Sequence, residues 1–150
     1  MQVTIKANHL GLSGYRLPTE AEWEFACRSG SVTARHYGRG DELLSRYGWC
    51  IRSAESTQSV GRLRPNEFGL FDMLGNAAEW VDGPGEWSDH YANDTIARYR
   101  LNPTTDFHQV LRGGMFNSPP SHLRSSYRDL SLTGIHNFTN GFRPARTIVP

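Results

Sequence analysis

Apolar side chains recur at helical spacing in one early segment of the chain, at Trp23, Ala26 and Cys27. Just ahead of them, Thr19 and Glu22 stand three positions apart. This is the spacing of a capping box, in which each side chain accepts a hydrogen bond from the other residue's free backbone amide. Gly30 is placed to end the helix in a left-handed turn. The pattern predicts a helix over about residues 20–29.

Shorter patterns follow. Asp41–Tyr47 predicts a second short helix, with Leu43 and Leu44 pointing inward and Gly48 as its stop. Elsewhere, short apolar runs are separated by Gly, Pro, Asn and Asp, which is typical of short strands between long loops. The predicted strands are Val3–Ile5, Ala78–Val81, Gln109–Arg112, Leu123–Arg128 and Gly141–Arg146. Together these elements predict a single α+β unit, rich in loops.

Composition narrows the class of protein. The chain has 150 residues, of which 37% are hydrophobic and 21% charged, enough for one globular domain with a core. Its formal net charge of +1 gives no argument for binding nucleic acid or a membrane. No run approaches the roughly 20 apolar residues of a membrane span. No signal peptide is visible at the N-terminus, and the compartment stays open.

Few reactive motifs occur. Cys27 and Cys50 are the only cysteines, so one disulfide at most can form, and their redox state is open. The histidines have no spacing typical of zinc or iron ligands. No phosphate-binding P-loop, serine-hydrolase elbow or Cys-x-x-Cys pair is present. The common catalytic signatures are therefore excluded as a guide to function.

One segment, Asn66–Val81, combines two acids with a turning backbone. Asp72 and Glu79 are its only acids between residues 68 and 81. The residues that allow tight turns between or beside them are Gly69, Gly75 and Asn76. Carboxylates and exposed backbone carbonyls are the ligands of calcium. The alternative is structural: Asp72 caps a turn and Glu79 pairs with an arginine.

The later part of the chain, Ser118–Asn140, is dense in Ser, Asn, His, Tyr and Arg. These residues combine adaptable hydrogen bonds with aromatic contact area, as binding loops do. A solvated loop with no ligand is an equally good interpretation. The composition alone does not choose between them.

Several separated stretches, in order along the chain, resemble one family. They are GYRLPTEAEWEFACRSG (14–30), NEFGLFDMLGNAAEWV (66–81), VLRGGMFN (110–117), LRSSYRD (123–129) and NGFRPAR (140–146). They are similar to motifs of the sulfatase-modifying factor family, the family of the formylglycine-generating enzyme. Its fold is related to that of C-type lectins, so the resemblance implies a C-type-lectin-like α+β fold.

The resemblance also implies a division of the chain. Residues 14–150 match the C-terminal part of the family domain, and residues 1–13 would be a remnant of its upstream part. We therefore expect a fold that is incomplete at the N-terminus. A truncated gene product is one interpretation, and a fragment of a longer protein is another. The intervening stretches resemble a bacterial subgroup that is often fused to other domains, protein kinases among them.

Metal binding follows from the same resemblance. Oxidase members hold copper through two cysteines, and the matching interval here, Met115–Leu123, contains none. Because thiolates are the soft ligands that Cu(I) prefers, we expect neither copper nor formylglycine synthesis. The family also places a calcium ion in the block that matches residues 71–80. The implied ligands are the side chains of Asp72 and Glu79 and the carbonyls of Gly75 and Ala77.

The resulting hypothesis is a non-catalytic module that binds a peptide or protein ligand. The candidate ligand-binding loop residues are Asn117, Ser118, Ser125, Ser126 and Tyr127. The alternative is an enzyme, either an oxidase or a non-heme-iron type, that is active only within a longer polypeptide. Ligand identity and oligomeric state stay open at this point.

Overall fold

A computed structural model describes residues 15–84, 108–133 and 137–146. Within these ranges the chain forms two helices and eight short strands. In order they are β1 (Tyr15–Arg16), α1 (Glu20–Arg28), α2 (Leu44–Tyr47), β2 (Gly48–Trp49), β3 (Leu74–Gly75), β4 (Ala78–Pro84), β5 (His108–Arg112), β6 (Arg128–Leu132), β7 (Asn140–Phe142) and β8 (Ala145–Arg146). Short strands between long loops confirm the predicted α+β class.

Four of the strands form the main sheet, in the order β6-β5-β4-β7. Strand β5 lies antiparallel to both β4 and β6, whereas β7 joins the other edge of β4 in parallel. Two small pairs flank this sheet: β1 with β8, antiparallel, and β2 with β3, parallel. Strand β4 is therefore central, and it carries Glu79 between two neighbours.

Helix α1 begins as the sequence predicts. The Glu22 amide donates to Thr19 Oγ1 at 3.2 Å, and the Thr19 amide donates to Glu22 Oε2 at 2.8 Å, which completes the capping box. The Arg16 guanidinium bonds the same carboxylate and lowers the pKa of Glu22 to about 2. The helix ends at Ser29, whose φ of 44° already lies in the left-handed region, one residue before Gly30.

The core is formed by α1 and the main sheet together with α2 and the region of the β2–β3 pair. Its residues are Trp23, Cys27, Leu44, Cys50, Met73, Leu74, Val81, Val110 and Leu123. Burial of each large aliphatic or aromatic side chain contributes roughly 1.5–3 kcal/mol of hydrophobic stabilisation. Within the parts of the chain described above, no helix is long and apolar enough to cross a membrane.

Two predicted elements differ from the structure. The second helix starts at Leu44, and Leu43 is 38% exposed while Leu44 is buried, so the inward placement of Leu43 was wrong. The strand predicted over Leu123–Arg128 is absent: a 3₁₀ turn at Pro120–His122 is followed by turns, and β6 starts only at Arg128. The carbonyls of residues 125–127 accept hydrogen bonds from the Arg112 guanidinium, so they are not available to a strand ladder.

The remaining strand predictions hold with small changes. Ala78–Val81 and Gln109–Arg112 lie inside β4 and β5. The predicted run Gly141–Arg146 is divided into β7 and β8, with Arg143 and a proline between them. The strand predicted at Val3–Ile5 lies outside the described residues.

Candidate functional site

Glu79 lies buried on β4, where its carboxylate accepts hydrogen bonds from both sides. Oε2 accepts from Trp23 Nε1 at 2.7 Å and from Arg143 Nε at 3.0 Å, and Oε1 accepts from Arg143 Nη2 at 2.7 Å. The pairing with an arginine, which the sequence left as an alternative, is therefore present. A carboxylate offers about four acceptor positions. Among the described contacts three are used, which leaves one on Oε1.

Asp72 presents one engaged oxygen and one unpartnered oxygen. Its Oδ2 accepts a hydrogen bond from the Gly61 amide at 2.7 Å. Its Oδ1 is buried and has no hydrogen-bond partner within the described ranges. A buried carboxylate oxygen without a partner is costly, and a cation or a water molecule would relieve that cost. The backbone φ of 56° at Asp72 lies in the left-handed region, which residues other than glycine seldom adopt.

The turn between these two acids is rigidly held. Gly75 and Asn76 have φ values of 79° and 67°. The Gly75 amide donates to the Gly113 carbonyl at 2.8 Å, and the Asn76 amide donates to the Trp49 carbonyl at 3.1 Å. A methyl group on Gly75 would lie only 1.8 Å from the Trp49 oxygen, so the position requires glycine. The peptide units that carry the predicted carbonyl ligands are thereby fixed in place.

In donor chemistry, these residues fit a calcium ion. Asp72 offers a free buried oxygen, Glu79 offers one remaining acceptor position, and Gly75 and Ala77 offer carbonyls; oxygen ligands of these kinds are those that calcium takes. In the described ranges no group of three or more His, Cys, Asp or Glu side chains is placed to hold a metal. Backbone carbonyls would therefore have to complete the set. Calcium binding at these four residues stays a prediction.

The five predicted ligand-loop residues separate into interior and surface positions. Ser118 is buried, and its Oγ accepts a hydrogen bond from the Met115 amide at 3.1 Å. Ser125 is fully buried; its amide donates to the Ala34 carbonyl at 2.8 Å, and its hydroxyl lies 3.5 Å from Cys27 Sγ. These two serines are held by internal hydrogen bonds, which places them away from a ligand on the surface.

The other three residues are accessible. Asn117 and Ser126 are exposed, and Tyr127 is half-buried with its ring stacked on His122 at 4.2 Å between centroids. Burial raises the pKa of the Tyr127 hydroxyl, so it stays protonated and remains a hydrogen-bond donor at neutral pH. Asn117, Ser126 and Tyr127 are therefore the members of the predicted set that a ligand can reach.

The structure adds two exposed residues that the sequence did not indicate. The Phe138 ring is 78% exposed and packs against Phe116, with ring centroids 6.3 Å apart. Ile51 is 61% exposed, and its amide donates to the Ser118 carbonyl at 3.1 Å. Ile51 and Phe138 thus both contact the segment of residues 116–118, which contains Asn117, and we call Ile51, Asn117 and Phe138 the loop surface. In the sequence, Phe138 stands among polar residues typical of turns, at positions 137–140, and this pattern could have indicated an exposed aromatic side chain.

Beneath this surface, Asn76 supports the segment. The Phe116 amide donates to the Asn76 carbonyl at 2.8 Å, and the Ala78 amide donates to the Thr139 carbonyl at 2.9 Å. The loop surface therefore rests on the same turn that carries the predicted calcium ligands. A rigid base of this kind reduces the ordering cost of binding.

Arg112 is the most deeply buried charge described. Its guanidinium donates to the carbonyls of Ser125, Ser126 and Tyr127 at 2.8, 3.2 and 2.8 Å. It also pairs with carboxylates of α1 and lies over the Trp23 ring, 5.3 Å from its centroid. Arg112 therefore has a structural role, because it joins helix α1, the main sheet and the loop of residues 125–127.

Both cysteines are buried and free. Burial raises the pKa of the Cys27 thiol to about 11. At neutral pH this sulfur is therefore protonated, whereas a nucleophile or a metal ligand is a thiolate. Neither thiol is exposed at the loop surface.

Comparison with known proteins gives one consistent family. The model of the sulfatase-modifying factor enzyme 1-like domain matches residues 3–148. The chain is 37% identical over 145 residues to the serine/threonine-protein kinase pkn1 of Chlamydia pneumoniae, covering 92% of this chain and 23% of the kinase. It is 38% identical over 119 residues to the formylglycine-generating enzyme of Streptomyces coelicolor, covering 69% of this chain and 37% of the enzyme.

A solved structure confirms the fold. Treponema denticola variable protein 1 superposes with a TM-score of 0.71 and 29% identity, over 88% of this chain and 47% of that one. The present chain thus spans about a quarter of the kinase, just over a third of the Streptomyces enzyme and about half of the solved structure.

Proposed function

Because the chain belongs to the sulfatase-modifying factor family, we propose that it is a non-catalytic member that binds a peptide or protein through its loop surface. The observation that carries this proposal is the contact between Phe116 and Phe138, which joins two loops and leaves one ring 78% exposed. An exposed aromatic ring beside an amide and an aliphatic side chain supplies contact area and hydrogen bonds together.

The chemistry of the thiols argues against the oxidase reaction. The segment Met115–Leu123, which matches the copper-binding interval of the oxidases, has no cysteine. Cys27 lies in the core with a raised pKa, and Cys50 is also buried. Without a pair of thiolates at the surface, Cu(I) has no cysteine ligands and oxygen has no redox-active sulfur. Incubation with a sulfatase-type cysteine peptide should therefore yield no aldehyde; its detection by mass spectrometry would overturn the non-catalytic assignment.

Calcium is the proposed structural cofactor. Asp72, Glu79 and the carbonyls of Gly75 and Ala77 would hold it, and bound calcium would give the buried Oδ1 of Asp72 a partner beneath the loop surface. A ligand that binds only the folded state adds about 2.7 kcal/mol at a hundredfold excess over its dissociation constant. Thermal unfolding should therefore shift upward with calcium in the wild type and not in Asp72→Asn.

The kinase relatives support a further part of the proposal. This domain would be one part of a longer polypeptide, as it is in pkn1, where the match covers 23% of the length. In that setting it would dock a ligand for the kinase domain. The loop surface and the predicted calcium site both lie within the residues of this chain, so binding can be tested directly.

The test of binding is selection from a phage-displayed library of random 12-residue peptides on immobilised wild-type protein. Enriched peptides should bind at least about tenfold more weakly to Phe138→Ala, since truncation of an aromatic anchor costs more than about 1–2 kcal/mol. Phe25→Ala removes a similarly exposed ring, 67% accessible, from α1 and serves as the matched control. Failure to enrich any peptide, or equal loss in both variants, would contradict the proposed surface.

A further inference from the structure

Residues 51–65 form a loop in the first part of the connection between β2 and β3, and this loop contains no helix or strand of its own. Side chains of the turn between Asp72 and Asn76 hold it at two points. Asn76 Oδ1 accepts from the Gln58 amide at 2.8 Å, and Asn76 Nδ2 donates to the Gln58 carbonyl at 3.1 Å. Asp72 Oδ2 accepts from the Gly61 amide at 2.7 Å.

The two attachments differ in charge. The side-chain amide of Asn76 is neutral, and its oxygen and nitrogen both have a hydrogen-bond partner on the backbone of Gln58. The carboxylate of Asp72 is charged, and its second oxygen is buried and has no described partner. Such an oxygen favours rotation of the carboxylate toward water, and that rotation would break the bond to Gly61.

We propose that Asp72 couples cation binding to closure of the 51–65 loop, with Oδ1 toward the cation and Oδ2 on the Gly61 amide. The inference rests on the calcium site proposed above and adds a conformational consequence to it. A bound cation removes the cost of the buried Oδ1 and fixes the carboxylate in the orientation that holds Gly61. By linkage, a closed loop strengthens cation binding by the same factor.

The chain contains a built-in reporter for this coupling. Arg62 is exposed and directly follows Gly61, so trypsin can cut after it when the loop opens. The next arginine, Arg64, precedes a proline and is a poor trypsin site. Arg124, exposed in another loop, provides a reference site far along the chain. When opening is fast, cleavage follows the population of the open form.

The experiment is limited trypsin digestion with excess calcium or with a chelator, with calcium binding measured in parallel by titration calorimetry. We expect calcium to slow cleavage after Arg62 about tenfold, within the roughly 5- to 150-fold range of typical couplings. Cleavage after Arg124 should change less than about twofold by the same reasoning, since none of the described hydrogen bonds joins that loop to Asp72. If calcium binds but slows cleavage equally after Arg62 and Arg124, or does not slow cleavage after Arg62, the coupling is refuted while the calcium site itself stands.

Two variants separate the contribution of the Asp72 charge from that of the Asn76 attachment. Asp72→Asn keeps an oxygen for the Gly61 amide and suits the left-handed backbone, but it lacks the charge, so calcium should no longer protect Arg62. Asn76→Gly releases Gln58, so cleavage should accelerate in both conditions while protection by calcium remains. Protection that persists in Asp72→Asn overturns the coupling. An absence of calcium binding in the wild type overturns the calcium site itself.

Discussion

Replacement of Arg112 is the sharpest test of how this loop-rich fold is held together. Its fully buried guanidinium bonds three carbonyls of residues 125–127 and pairs with Glu20 and Glu24. Arg112→Met fills most of the volume but leaves those carbonyls without a donor. Breaking a buried ion pair costs about 3–5 kcal/mol.

The expected loss lies at the lower end of that range. Glu24 also pairs with Arg28 at 2.7 Å, and Glu20 also pairs with Arg128, so both carboxylates keep a cationic partner. We therefore expect the free energy of unfolding to fall by about 3 kcal/mol. With a urea slope of roughly 1.5 kcal/mol per molar, the unfolding midpoint should fall by about 2 M.

Urea unfolding followed by far-ultraviolet circular dichroism measures this change. Arg124→Met is the matched control, because Arg124 is exposed and bonds only the Ser121 carbonyl among the described contacts; its cost should stay below about 0.5 kcal/mol. If Arg112→Met does not fold, Arg112→Lys keeps the charge and should lose roughly 1–2 kcal/mol through fewer hydrogen bonds. A loss below about 1 kcal/mol in Arg112→Met would refute the reasoning.

Two further predictions concern the turn and the helix start. Gly75→Ala should destabilise the fold by more than about 3 kcal/mol in the same urea assay. The added methyl group would lie 1.8 Å from the Trp49 carbonyl oxygen, and the backbone φ at this position is 79°. Gly61→Ala is the control for backbone strain alone, because φ there is 75° but no atom lies within 4 Å of the added methyl group. Glu22 has its pKa lowered to about 2 from 4.5, so its stabilisation is complete above pH 4.5 and is lost as pH falls toward 2. Since its side chain is 47% exposed, solvent screening keeps that stabilisation below about 1 kcal/mol. Thermal unfolding between pH 2 and 6 should show a shallower pH dependence in Glu22→Gln, and identical curves would contradict the assignment.

Sequence predicted the fold best where local chemistry decides the structure. Thr19 and Glu22 define the start of α1 by their own hydrogen bonds, and the structure contains both. The strand predicted at Leu123–Arg128 was wrong because a distant residue decides that segment. Arg112 takes the carbonyls of residues 125–127 as acceptors, and carbonyls used in this way are not available to a strand ladder.

The sequence indicates which residues make up the candidate site, but not which residues form hydrogen bonds with them. Asp72 and Glu79 could be identified as paired acids in a turning segment, whereas their partners come from far along the chain. Arg143 reaches Glu79 across 64 positions, and the Gly61 amide reaches Asp72 across 11. Likewise, nothing local distinguishes buried Ser125 from exposed Ser126. Ser125 is held in the interior by distant residues, among them Ala34, whose carbonyl accepts from its amide, and Arg112, which donates to its carbonyl.

The antiparallel pairing of β1 with β8 has an architectural consequence. Tyr15 lies opposite Arg146 and Arg16 opposite Ala145, so the first and last described strands are direct neighbours. The chain therefore enters β1 and leaves β8 at neighbouring positions in space. Units of this kind can be grafted into or onto a longer protein without stretching either host segment. The same pairing also makes the domain a candidate for circular permutation, with new ends opened in an exposed loop.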